Sequence, residues 1–269
     1  MFSTDAEPVL TRKTEFVALV DGNEGMGMPA ANLALEFLIE TARSRGVAVA
    51  GLHLSVKVSG QMMGDNIKEA VIQCKCGSSA LTVADGKAIL YFQCGCEDCR
   101  QALQWGHMKG GVEPDPLPRL YYLRSDIVDV KGKDYMKAFK IREDGRSTRI
   151  SCIKCYSVLG VDHPTYQSNV FLNFPKHCNN GGDLSIPLVA YVYMIDYSDD
   201  IGPLPTEDVP LFVTTRFPQE RQRLFSLPEV ANSFKEPAEP IRGMTLTSLI
   251  ESLGPVTVLD LVKGETVIA

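Results

Sequence analysis

Cys94-Gly95-Cys96-Glu97-Asp98-Cys99-Arg100 is the stretch on which the reading turns. It is flanked at a distance by Cys74-Lys75-Cys76 and by Cys152-Ile153-Lys154-Cys155, so seven of the chain's eight cysteines fall in three tight clusters. Two thiolates one or two residues apart reach the same metal because a tight turn brings both sulfurs to one side, at ~2.3 Å from a zinc ion. Four plus three sulfurs predict two Zn2+ ions per chain, one enclosed by protein and one with a vacant position. Gly77 and Gly95 suit such turns. Lys75, Lys154 and Arg100 lie beside the clusters, where they are expected to offset the negative charge and lower the thiol pKa values.

Outward from the cysteines, the chain after residue 67 reads as short apolar runs at 80–83, 88–92, 120–123, 136–141, 170–174 and 188–195. Asp85-Gly86 and Asp144-Gly145 stand between such runs as hairpin signals. This half is expected to be mostly antiparallel sheet. Residues 113–118, 179–187 and 196–210 read as long loops, and a short helix is expected from about Thr245 to Gly254. Upstream, strand-like 15–20, a helical pattern over 30–45 and the apolar stretch 47–58 suggest a strand-helix-strand unit. Its turn, Gly22-Asn23-Glu24-Gly25-Met26-Gly27, lacks dinucleotide-loop spacing and carries acidic residues that repel phosphate. It reads as a packed turn.

The expected fold is mainly β. Residues 1–66 form an N-terminal α/β extension, 67–215 a zinc-binding β domain, and 216–269 a C-terminal extension packing on the core. The first extension is expected to pack against the β domain or to mediate a homodimer.

At 269 residues the chain is long enough to bury a substantial core. A formal net charge of −6 argues against nucleic acid as a partner, because such binders cluster Lys and Arg to displace counterions. Apolar runs such as 188–193 fall far short of the ~20 residues that cross a bilayer, so no membrane span is expected. The opening Met1-Phe2-Ser3-Thr4-Asp5-Ala6-Glu7 lacks the basic start and apolar stretch of a secretory signal, and a cytoplasmic location is expected. In that reducing compartment, clustered cysteines read as metal ligands before they read as disulfides.

The order CxC, CxCxxCR, CxxC on short strands resembles the glutathione-dependent formaldehyde-activating enzyme family, which also includes centromere protein V. The resemblance covers roughly residues 67–200. It is carried by Cys74-Lys75-Cys76-Gly77-Ser78, by Cys94 to Arg100, and by Arg149-Ile150-Ser151-Cys152-Ile153-Lys154-Cys155-Tyr156-Ser157-Val158-Leu159. It implies a β-tent fold, with Cys74, Cys76, Cys152 and Cys155 sharing a structural zinc and Cys94, Cys96 and Cys99 holding a catalytic one. The spacing by itself does not make that partition. The chain departs from the family at Tyr156, where a glycine is usual, and at Gln104-Trp105-Gly106, where a small Ser/Thr-Gly element is usual.

A three-thiolate zinc carries about −1 and is a poorer Lewis acid than a three-histidine zinc. Lowering water from ~15.7 to near 7 is a large demand, whereas a thiol begins at ~8.5. The expected activity is therefore that of a carbon-sulfur lyase, with a glutathione-like thiol cosubstrate, or the thiol adduct of a small electrophile, at the fourth position. His107 and His177 are the candidate catalytic acids or bases, and Arg100 and Trp105 the candidate substrate-binding residues. Cys178 reads as an ordinary thiol, Asp98 as a helix cap, and Tyr121, Tyr122, Tyr191 and Tyr193 as strand packing. Two other readings stay open: a non-catalytic zinc scaffold, and a zinc lyase or isomerase that uses no thiol.

Overall fold

The computed structural model describes residues 68–203, 205, 208–265 and 267; the expected strand-helix-strand unit of 15–58 lies outside them. The described part is mainly β, as expected, with two sheets. The smaller has four strands in the order β10-β1-β2-β5: Cys178–Asn180, Ala70–Cys74, Ala80–Val83 and Ile127–Lys131. The larger has eight in the order β11-β3-β4-β9-β8-β7-β6-β12. These are Ala190–Val192, Leu90–Cys94, Arg119–Arg124, Val170–Asn173, Val158–Asp162, Thr148–Cys152, Met136–Lys140 and Thr257–Val258. Pairing is antiparallel except at the edges of the larger sheet, where β11 runs parallel to β3 and β12 parallel to β6.

The larger sheet is buried on both faces, which is why several of its strands read as continuous apolar runs rather than alternating ones. On one face Tyr91, Tyr121, Leu123, Ile150, Cys152 and Phe171 meet Ile72, Leu81 and Val83 of the smaller sheet. Leu246, Leu249 and Ile250 of helix α4 (Leu246–Ser252) join this core. On the other face Phe92, Tyr122, Phe139, Val161 and Leu172 pack under Ala102 and Leu103 of helix α1 (Glu97–Met108). Leu224 of α2 (Pro218–Phe225) and Val230 of α3 (Pro228–Ser233) close that side. Among the described residues no helix is long and apolar enough to cross a membrane.

Two local expectations change. Asp144-Gly145 does turn between paired strands, β6 and β7. Asp85-Gly86 makes no hairpin, because β2 belongs to the smaller sheet and β3 to the larger, so the chain crosses between sheets there. The cap of α1 is Cys96, whose sulfur accepts from the Cys99 N–H at 3.3 Å. Asp98 lies inside the first turn and pairs instead with Arg142. The helix expected from Thr245 forms, with the Thr245 side chain accepting from Ser248 N at 3.0 Å and Gly254 at φ +86° just beyond it.

Candidate metal centres

The sulfurs of Cys74, Cys76, Cys152 and Cys155 converge, every pair within 4.8 Å. Cys74 ends β1 and Cys152 ends β7, and each starts a hydrogen-bonded turn, closed over three residues in the first and over four in the second. Gly77 N donates to Cys74 O at 3.0 Å, and Tyr156 N donates to Cys152 O at 2.9 Å. The corner residue of each turn is left-handed, Gly77 at φ +76° and Tyr156 at φ +53°. Ser157, fully buried, ties the turns together by accepting from Lys75 N at 3.0 Å while contacting Cys155 Sγ at 3.3 Å.

Sulfur separations of 3.5 Å (Cys74 to Cys76) and 3.8 Å (Cys76 to Cys152) are far longer than the ~2.05 Å of a disulfide. A tetrahedron with metal–sulfur bonds of ~2.3 Å has edges of about 3.8 Å. The donor set therefore fits a zinc ion. Burial pushes the Cys74 thiol up to about 12, whereas hydrogen bonds from Ser78 pull the exposed Cys76 down to about 6. A pair so divided supplies one ready anion, and metal binding completes the deprotonation of the rest.

Cys94, Cys96 and Cys99 form the second group, again within 4.8 Å of one another. Among the described residues no histidine, aspartate, glutamate or further cysteine joins them. The end of β3 supplies Cys94, and the start of α1 supplies the other two. Cys96 at the cap and Cys99 three residues on share the helix N-terminus, where exposed N–H groups and the helix dipole favour anions. Cys96 N donates to Cys94 Sγ at 3.4 Å. Hydrogen bonds from Cys94 and Cys96 hold Cys99 well below the ordinary thiol range, while the bonds of Cys94 with Cys96 and Cys99 raise Cys94 well above it. Gly95 serves by its lack of a side chain rather than by a special φ. A Cβ there would lie 2.9 Å from Tyr197 Cβ and 3.0 Å from both Met194 Sδ and Tyr193 O.

Three tyrosines surround this group. Tyr122, Tyr166 and Tyr193 are each raised by burial, with the cysteine charge adding to the effect. All three phenols therefore remain protonated near neutral pH. Tyr166 Oη donates to Tyr122 Oη at 3.3 Å, and Thr215 Oγ1 donates to Tyr193 Oη at 2.8 Å. Tyr122 and Tyr193 thus each accept one hydrogen bond and keep their own hydrogen to give. Strand periodicity alone marks Tyr122 and Tyr193 as packing residues, and no sequence signal marks Tyr166.

The other expected site residues are spread out. Arg100 donates to Gly95 O and to Asp196 O, the latter at 2.6 Å, and so ties the Cys94–Cys99 turn to the following loop. Trp105 packs on Phe139 and edge-on to Tyr156, centroids 5.1 and 5.5 Å away. His107, exposed near the end of α1, has Nδ1 3.1 Å from Gly111 O. Eight residues of helix separate it from Cys99, about 12 Å of rise. His177 is buried beside Leu103, Asp115, Arg119 and Phe174, its Nε2 without a hydrogen-bond partner. Cys178 is buried as an ordinary thiol and donates to Val158 O at 3.1 Å. Lys75 and Lys154 do not face the sulfurs as expected. Lys75 Nζ donates to Cys178 O at 3.0 Å, and Lys154 Nζ sits 3.6 Å from the Tyr135 ring centroid.

The two cysteine groups are thus able to hold metal ions, one with four sulfur donors and one with three. No family model matches the chain, and no curated protein matches it.

Proposed function

We propose that the chain is a zinc-dependent enzyme of carbon-sulfur lyase type, acting on a glutathione-like thiol or on its adduct with a small electrophile. The reaction is placed at Cys94, Cys96 and Cys99. The observation that carries the proposal is the inequality of the two donor sets. Four sulfurs complete a tetrahedron at one, while three converge at the other without a fourth protein donor among the described residues. The order and spacing of the three cysteine motifs support the family resemblance on which the reaction class rests.

Bound at the three sulfurs, zinc would supply an open position suited to a substrate thiol, which begins at ~8.5 and needs little lowering. The chain's own contribution is a set of fixed donors. The Tyr122 and Tyr193 hydroxyls would donate to the aldehyde oxygen, which gains negative charge as the carbon-sulfur bond forms and gives it up as that bond breaks. Arg100 holds the sulfur-bearing turn in place through two carbonyls. His177, the expected acid or base, is pushed down to about 4 chiefly by burial and stays neutral at pH 7.

The test is exchange of formaldehyde with glutathione, followed by carbon NMR of the hydroxymethyl adduct, alongside other small aldehydes. Cys99→Ser should lose one of two zincs and all measurable turnover while keeping its circular dichroism. Tyr122→Phe and Tyr193→Phe should each lower kcat about 10²-fold with both metals retained. Turnover that survives complete removal of thiols would overturn the thiol-dependent reading. Two tightly held zincs with no turnover of any substrate would favour the scaffold.

A further inference from the structure

Arg149 lies in the middle of the larger sheet, only 2% exposed, and is among the largest fully buried side chains. On β7, Ile150 and Cys152 face the smaller sheet, so alternation sends Arg149 to the opposite face, toward α1. There Nη2 donates to Asp98 O and Nη1 to Ser147 O, both at 3.3 Å, while Nε has no hydrogen-bond partner. A buried guanidinium is costly unless an anion answers it. Among the described residues no carboxylate makes a hydrogen bond or ion pair with it, and the one that feels its charge, Asp98, is already engaged by Arg142. The Asp98 carboxylate pairs with Arg142, which also bonds Gln101 Oε1 at 2.6 Å. The Glu97 carboxylate accepts from Gln101 Nε2 at 3.1 Å and from Gly264 N. His163, pushed down to about 4 by burial and by Arg146 and Arg149, offers no charge at pH 7.

What remains is the sulfur trio. Cys99 belongs to the same first turn of α1 as the Asp98 carbonyl that Arg149 touches. Three thiolates around one divalent ion leave about −1 to be answered. Arg100, the cation adjacent in sequence, is committed to carbonyls at the rim.

We propose that Arg149 is the buried counter-cation of the Cys94–Cys96–Cys99 metal site, a positioning residue that neutralises the tris-thiolate centre from beneath α1. The proposal rests on the metal-binding half of the functional reading. It gives an anion to the second of two guanidinium groups, Arg142 and Arg149, that otherwise share the single Asp98 carboxylate, and it makes the loaded site neutral as a whole. A neutral centre repels an incoming anion less than one of charge about −1, which leaves the fourth position more receptive to a thiolate.

The experiment is a cobalt titration of metal-stripped protein, reading sulfur-to-cobalt charge-transfer absorption and counting two sites, on the wild type, Arg149→Met and Arg149→Lys. Met keeps length and volume without charge; Lys keeps charge without the planar fork or its two carbonyl contacts. The expected result is an affinity for the second ion lower by about 10- to 100-fold in Arg149→Met, with Arg149→Lys within about threefold of wild type and the first ion unaffected in both. If Arg149→Met does not fold, Arg149→Lys decides alone: a drop of tenfold or more overturns the proposal, because packing and not charge would then be what the site needs. Equal affinities in wild type and Arg149→Met overturn it as well. A wild type that takes up only one cobalt fails the metal reading itself, a result distinct from either.

Discussion

The four-cysteine and three-cysteine sites use the same donor atom and lie on opposite faces of one sheet, yet they bind different amounts of the fold. The first joins β1 of the smaller sheet to β7 of the larger, across 76 residues between Cys76 and Cys152. The second draws all its sulfurs from the single stretch Cys94 to Cys99. Treated as cross-links, closing a 76-residue loop restricts the unfolded chain by about 4.5 kcal/mol, and closing six residues by about 2 kcal/mol. The surroundings differ in the opposite sense. Ser78, Ser157 and backbone groups bond the first site, whereas the phenols of Tyr122, Tyr166 and Tyr193 and the charge of Arg149 lie within electrostatic reach of the second. One site has been given connections, the other chemistry.

The largest effect that would break this contrast is a reversal of what each site holds up. Cys152→Ser, at a fully buried position, should abolish the cooperative unfolding transition in urea and leave the chain without either metal. Cys96→Ser should lose one zinc, keep the transition and shift its midpoint only modestly, since a short local loop is all that opens. Metal content and urea denaturation followed by circular dichroism check both. If Cys96→Ser unfolds the chain while Cys152→Ser folds, the roles assigned to the two sites are exchanged.

That contrast also marks where sequence reading stops. Each turn is legible locally, because cysteines one or two residues apart carry their own geometry, with a glycine beside the first two clusters and Tyr156 in its place at the third. Which turns share a metal depends on β1 and β7 meeting across two sheets, and that pairing leaves no local trace; the partition comes only with the family resemblance. Asp85-Gly86 fails as a hairpin for the same reason, since a turn signal does not state which strands it joins. The run 80–83 reads with its observed ends, because it is apolar and bounded by turn residues. β1 and β7 do not read as strands at all, being interrupted by Gln73 and Arg149. The charge at 149 hides the strand and is also the feature that marks the second site. Cys96 takes the helix cap expected of Asp98 because the metal turn already places its sulfur against the N–H groups of the first turn.

A middle-sized effect sharpens the comparison by pH. His177 directly precedes β10 and is buried beside Leu103, Phe174 and the charged Asp115, Arg119 and Lys176, with its Nε2 unpartnered. Burial, with the Lys176 charge adding, lowers it to about 4. Its folded value lies below the unfolded ~6.5, so its contribution to stability is full above pH 6.5 and is lost as pH falls toward 4. His177→Phe should therefore match the wild type near pH 8 and exceed it by about 2 kcal/mol at pH 5. Acid loss of zinc affects both proteins alike and drops out of the difference. Parallel stability curves for the two proteins between pH 8 and 5 would mean that His177 is solvated in solution.

The smallest effect compares the two turns of the four-cysteine site at their left-handed corners. A methyl group added at Gly77, φ +76°, would have no atom closer than 3.7 Å, so Gly77→Ala meets no clash and should cost only the backbone penalty, about 1 kcal/mol. Tyr156 at φ +53° already bears that penalty and offsets it with its ring packed edge-on to Trp105, 5.5 Å between centroids. Both Tyr156→Ala and Tyr156→Gly lose the ring contact, but only glycine also relieves the backbone. Tyr156→Gly should therefore be the more stable of the two by about 1 kcal/mol, the inverse of the usual order in regular structure. Thermal unfolding of the zinc-loaded variants decides it. An alanine variant at least as stable as the glycine variant would mean that residue 156 is not left-handed in the zinc-loaded protein, and that the two turns, closed over three and four residues, do not share even their corner.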